Sequence, residues 1–152
     1  MRRHFVEIVG GCTASALFGL FSSAAAARAL GLSPDLALSV VPRSVTVALA
    51  LPIATQLGAT QLSVTATAVM LTGLLGASCA QILLDKLGYK DPIVRGMATA
   101  GSSHGLGTAA LAAKEPEALP YCALAYAVIG ILATVFASLP PVRAALIAIC
   151  GA

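Results

Sequence analysis

The sequence predicts an all-α, polytopic membrane protein with about five transmembrane segments, two of them discontinuous. Three observations carry this expectation. Of 152 residues, 59% are hydrophobic and 10% are charged, against roughly a quarter charged in soluble domains. Charge-free runs cover 8–27, 44–84, 96–113 and 118–142, each near or beyond the roughly 20 residues that cross a bilayer. Two of the expected segments contain residues out of place in hydrocarbon: Pro42, Arg43 and Pro52 in one, and "GSSHGLG", residues 101–107, in the other.

Polar turns divide the apolar runs: "GLSPD" at 31–35, "QLGATQ" at 56–61, "DKLGYKDP" at 85–92 and "KEPEALP" at 114–120. The segments between them are 6–30, 35–57, 61–84, 92–113 and 118–139, in a single membrane domain over 1–152. In the first, Arg2, Arg3 and a small-residue "SSAAAARA" stretch also fit a signal peptide. The length of the apolar run, Glu7 at its head and its direct continuation into the next segment favour a retained span. The third, "LSVTATAVMLTGLLGASCAQILL", is a helix of small residues suited to close packing.

The second and fourth segments overlay with a shift of 58, which sets Pro34 on Pro92, Ser44 on Ser102 and Thr46 on His104. Paired Gly- or Pro-interrupted segments are the sequence mark of discontinuous helices around a transporter's binding site. Backbone unwound at that depth must line a cavity or another helix, because lipid cannot satisfy it. Five crossings would put Arg28, Lys86, Lys90, Arg95 and Arg143 on one side and Arg2, Arg3 and Lys114 on the other, making the first side the inner one.

Several function classes are disfavoured. Cys12, Cys79, Cys122 and Cys150 lie in apolar stretches without C-x-x-C spacing, and His104 stands alone in its segment, so neither a metal site nor a cofactor is expected. There is no G-x-S-x-G elbow and no acid placed to orient His104, so the chain does not read as an enzyme. No basic patch with interleaved aromatics suggests nucleic acid.

"LGLSPDLALSVVPRSVTVALALPIA" and "DKLGYKDPIVRGMATAGSSHGLGTAALAAKEPEALPYCALAYA" resemble the C-terminal part of the LrgB/CidB membrane family. The Pro-Arg-Ser-Val-Thr, Asp-Pro-x-x-Arg-Gly and Ser-His-Gly-x-Gly-Thr stretches occur in family order. The Lys114–Pro120 stretch resembles the plastid branch, the glycolate/glycerate translocators of plants and algae. That resemblance implies transport of small 2-hydroxy-carboxylates across the inner chloroplast envelope. Bacterial relatives imply a holin-modulator-like channel or regulatory membrane protein in a plasma membrane as the alternative. Plastid members are longer, so this chain is expected to work as part of a carrier with further LrgA- or LrgB-like helices or as a homo-oligomer; an accessory fragment inactive alone is a further alternative.

For a small hydroxy acid the residues offer matching chemistry. Arg43 could present a planar fork to the carboxylate, and Ser44, Thr46, Ser102, Ser103 and Thr108 short hydroxyl donors and acceptors. A half-helix starting near Gly105 would aim its amide end at an anion, with Gly105 and Gly107 permitting close approach. His104 could bind substrate or carry a proton. Each has a plainer reading: Arg43 could snorkel to headgroups, His104 could bridge two helices, the hydroxyls could bond their own helix, and the glycines could serve helix contact alone.

Overall fold

The computed structural model describes residues 5–152; the basic pair Arg2 and Arg3 lies outside them. The elements are α1 (Phe5–Ala29), α2 (Pro34–Val40), a 3-10 turn (Val41–Ser44), α3 (Val47–Leu57), α4 (Leu62–Lys86), α5 (Pro92–Lys114), α6 (Leu119–Ser138) and α7 (Pro140–Cys150). The protein is an all-helical, integral membrane protein, and α1, α4 and α6 are each long and apolar enough to cross a bilayer. Local sequence sets the ends. Asp91 caps α5 by accepting from the amides of Ile93 and Val94 at 2.9 and 3.1 Å, with Pro92 in the first turn. Gly58 closes α3 in the left-handed conformation.

α5 is not one rod. Arg95 near its start pairs with Glu115 at its C-cap, Nε donating to Oε2 at 2.7 Å. The two are 20 positions apart, which a straight helix would stretch to about 30 Å at 1.5 Å per residue. The chain reverses at His104, whose φ of 40° and ψ of −132° interrupt the helix. A Cβ on Gly107 would lie 2.8 Å from Thr99 Cγ2 on the other arm. Residues 92–114 therefore form a re-entrant hairpin.

The segment 34–57 does the same from the opposite face. Asp35 at the start of α2 accepts hydrogen bonds from the Thr60 amide (2.7 Å), the Thr60 hydroxyl (2.8 Å) and the Gln61 side chain (2.9 Å), just beyond α3. The reversal runs through Pro42, with a non-helical ψ of 18°, to extended Val45 and Thr46. Arms of 7 and 11 residues reach about 10 to 17 Å, half of a roughly 30 Å hydrocarbon core. The hairpin tips thus meet near the midplane.

Among the described residues, three helices are long and apolar enough to cross, and two segments turn back as hairpins. This corrects the sidedness expected from five crossings. The pairing of Arg95 with Glu115 brings Lys114 to the same end as Lys86, Lys90 and Arg95, while Arg28, packed on Gly151, and Arg143 lie at the other. Among the described residues, the end bearing the 87–91 loop carries more lysine and arginine than the other. α7 follows α6 directly beyond residue 139, buries Leu146 and Cys150, and closes the Arg28 end.

The overlay with a shift of about 58 has a structural counterpart. A crossing helix followed by a hairpin occurs twice, as α1 with 34–57 and α4 with 92–114, and the single crossing in each unit inverts the second relative to the first. Gly31 and Gly88 end the two crossing helices at φ 68° and 75°. In each unit a glycine of the crossing helix admits the hairpin tip. A Cβ on Gly19 would sit 3.0 Å from Ser44 Cβ, and one on Gly76 would sit 2.8 Å from the Ser102 carbonyl carbon. Packing follows membrane rules: Ala16, Ala24, Ala50, Ala125, Ala133 and Ala137 are fully buried, whereas Leu71, Leu75, Ile82 and Ile131 point outward.

Candidate functional site

The hairpin tips, α1 and α4 line an open cavity of about 410 Å³. Hairpin 34–57 contributes Arg43 and Ser44, and hairpin 92–114 contributes Gly101 and Ser102. α1 adds Ser15, Gly19 and Ser22, and α4 adds Thr72; Phe18, Met97 and Ala98 supply apolar wall. The two breaks explain why these groups converge. Each tip exposes the polar residues that interrupt its apolar arms, and the glycines at 19 and 76 let the tips come close enough to share one space.

Arg43 is partly buried and, among the described residues, has no carboxylate partner. An arginine at this depth is costly without one. Ser44 Oγ is sealed from solvent and makes no hydrogen bond within the described residues. Ser102 Oγ lies 3.2 Å from the Thr99 carbonyl and 3.3 Å from Ser103 Oγ. The cavity so combines one unneutralised guanidinium with several hydroxyls. Such a set suits a small anion bearing a carboxylate and an alcohol.

Of the nine residues singled out in the sequence, Arg43, Ser44 and Ser102 line the cavity, and the other six do not. Thr46 is the N-cap position of α3, without a side-chain cap bond. Ser103 is buried and donates to the Thr99 carbonyl at 2.7 Å. His104 turns to α4, its Nε2 donating to the Val69 carbonyl at 3.1 Å while the ring packs on Gly73. Gly105 faces open space, Gly107 fits against Thr99, and Thr108 donates to the His104 carbonyl at 3.2 Å. The amide end at Gly105 is not part of the cavity lining.

Ser15, Gly19, Ser22 and Thr72 escaped the sequence reading, which placed Gly101 in the interrupting cluster without assigning it to the site. A signal existed for the first three: spacings of four and three residues place Ser15, Gly19 and Ser22 on one face of α1.

A second cavity, about 430 Å³, opens at the end bearing the 87–91 loop and is lined by Asp85, Lys90, Arg95, Lys114, Glu115 and Glu117. Arg95 is its centre. Its Nη1 donates to Asp85 Oδ1 and to the Tyr89 carbonyl, each at 2.8 Å, and its Nε and Nη2 grip both oxygens of Glu115. One buried guanidinium thereby ties the end of α4 to both arms of the hairpin.

The LrgB-like family model matches residues 1–141. The chain is 52% identical over 151 residues to plastidal glycolate/glycerate translocator 1, chloroplastic, of Arabidopsis thaliana, covering 99% of this chain and 30% of that protein. It is 33% identical over 137 residues to the uncharacterized protein YxaC of Bacillus subtilis (strain 168), covering 90% and 56%. It is 34% identical over 82 residues to the holin-like protein CidB of Staphylococcus epidermidis, covering 54% and 35%. The chain thus spans between about a third and somewhat over half of these relatives. No solved structure matches it.

Proposed function

We propose, since the chain belongs to the LrgB-like family, that it forms the substrate-binding membrane core of a secondary carrier for small 2-hydroxy-carboxylates, glycolate and glycerate among them. The observation that carries this reading is Arg43, a cation without a carboxylate partner among the described residues, in a cavity of hydroxyl groups where two hairpin tips meet. The Arg43 fork receives the carboxylate of the substrate. Ser102 Oγ takes the alcohol, joined by Ser44 Oγ, which has no partner among the described residues, once its side chain turns from Gly19 into the cavity. The substrate leaves unchanged, so no covalent chemistry is required of the site.

Two inverted units around one site give the carrier its cycle. Each hairpin approaches the site from its own face, and rocking of one unit against the other exposes the cavity to the two faces in turn. The name of the Arabidopsis relative supports glycolate and glycerate as substrates and a chloroplast membrane as the location; the inner envelope is the membrane proposed. A bacterial-type plasma membrane is the alternative location. Further LrgA- or LrgB-like helices, or a second copy of the chain, complete the assembly.

The test is exchange of labelled glycolate in proteoliposomes holding the complete assembly. Saturable exchange that unlabelled glycerate competes away supports the carrier. A non-saturating conductance would replace it with the holin-like channel suggested by the CidB relatives.

A further inference from the structure

The central cavity and the Arg95 cavity are separated by a single buried polar step. Arg95 lines one cavity and Ser102 the other, and between them on the same arm lies fully buried Thr99. Thr99 Oγ1 donates to the Arg95 carbonyl at 2.8 Å and accepts from Gln81 Nε2 of α4 at 3.2 Å. The Thr99 carbonyl accepts from Ser102 and Ser103. Gln81 is one helical turn from Asp85, which lines the Arg95 cavity, and its Oε1 is buried without a partner among the described residues.

A buried acceptor left unmade is costly, and this one stands in a line of polar groups joining two cavities. The corresponding step on the other face is closed. There Thr65 Oγ1 donates to the Ser39 carbonyl at 2.8 Å, and Ser39 Oγ donates to the Asp35 carbonyl at 2.8 Å, so both hydroxyls are satisfied.

We infer that Gln81 and Thr99 form a transient hydroxyl-binding station on the substrate's path between the central cavity and the face bearing the 87–91 loop. The inference rests on the carrier reading. Gln81 Oε1 accepts the alcohol of a passing hydroxy acid, or of the water that moves with it. The clamp of Arg95 on Glu115 and Asp85 is the outer gate, because it holds the end of α4 and both hairpin arms together over this step. The path opens when the hairpin 92–114 parts from α4.

The experiment uses the complete assembly in proteoliposomes, with the native cysteines replaced and Gln81→Cys or Thr99→Cys introduced singly. A membrane-impermeant thiol reagent added on the 87–91 face during glycolate exchange should modify both cysteines, read by mass, and block exchange. Thr65→Cys treated the same way should stay unmodified. Gln81→Leu should slow exchange by roughly two- to tenfold, the loss of one hydrogen bond, with unchanged glycolate Kd.

Absence of modification of both Gln81→Cys and Thr99→Cys in an actively exchanging assembly would overturn the inference, as would a weaker Kd for Gln81→Leu at unchanged rate. An assembly that exchanges no glycolate sinks the carrier reading instead, and the mass readout still reports whether an aqueous path reaches Gln81. If Gln81→Cys does not insert, Thr99→Cys decides alone.

Discussion

Arg95 and Glu115, 20 positions apart in one helical segment, are joined by two parallel hydrogen bonds from Nε and Nη2. The pair makes the reversal at His104 a fixed hairpin, since it closes the two arms at their open end. Its side chains are 10% and 21% exposed, whereas Asp85 on the same guanidinium is 69% exposed.

That difference ranks the two acids. Removing one partner of a buried pair strands a charge, so Glu115→Ala should destabilise the protein by about 3 kcal/mol. Asp85→Ala should cost less than about 1 kcal/mol, because water already screens that bond. Unfolding in detergent, followed by helical signal, checks the order. Equal losses would mean that Glu115 is not the closing contact.

The two tip-facing glycines should respond unequally to alanine. At Gly76 the new Cβ meets the Ser102 backbone, which cannot turn aside, whereas at Gly19 it meets the Ser44 side chain, which can rotate. Gly76→Ala should cost about 1 to 3 kcal/mol, the usual range for overpacking, and Gly19→Ala less. The same unfolding measurement on both variants decides it.

His104 is the only non-glycine residue with positive φ among the described residues. Sparsely populated backbone of this kind costs about 1 to 3 kcal/mol, and glycine adopts it freely. His104→Ala keeps the strain and loses the bond to Val69, while His104→Gly loses the bond and the strain together. His104→Gly should therefore be the more stable of the two by about 1 kcal/mol, after glycine's greater chain entropy. The reverse order would show that the tip is not strained.

Arg43 tests the anion site. Arg43→Gln removes the charge and should weaken glycolate binding by about 1.5 to 3 kcal/mol, roughly ten- to a hundredfold and slightly more. Arg43→Lys keeps the charge without the planar fork and should lose less. Equilibrium binding to the purified assembly, with insertion checked for each variant, measures both. Unchanged affinity in a well-inserted Arg43→Gln protein would assign this arginine to the headgroups.

The breaks at Pro42–Thr46 and at His104 were legible because proline, glycine, serine and arginine stand out in an apolar chain. Their direction was not. A 22-residue apolar stretch between charged loops is equally consistent with a crossing and with a hairpin, and only the tertiary pairing of Arg95 with Glu115 distinguishes them. The lining residues from α1 and α4 were hidden for a related reason: small hydroxyl residues are ordinary in membrane helices, and Ser15 or Thr72 acquires meaning only when a hairpin tip is brought against it. α7 lies beyond the last expected segment, 118–139, with Pro140 in the first turn of the new helix.

The re-entrant course of 92–114 also bears on how the chain is inserted. Were this segment to cross, Lys114, Glu115 and Glu117 would have to be carried through the hydrocarbon as the chain emerged, at a cost of about 2.5 to 3.5 kcal/mol for a charged residue at the centre. By returning to the face it came from, the hairpin leaves those charges on the side where they are delivered. Among the described residues three helices have to be threaded across, and the hairpins can sink in afterwards, once α1 and α4 provide the surface that receives their tips.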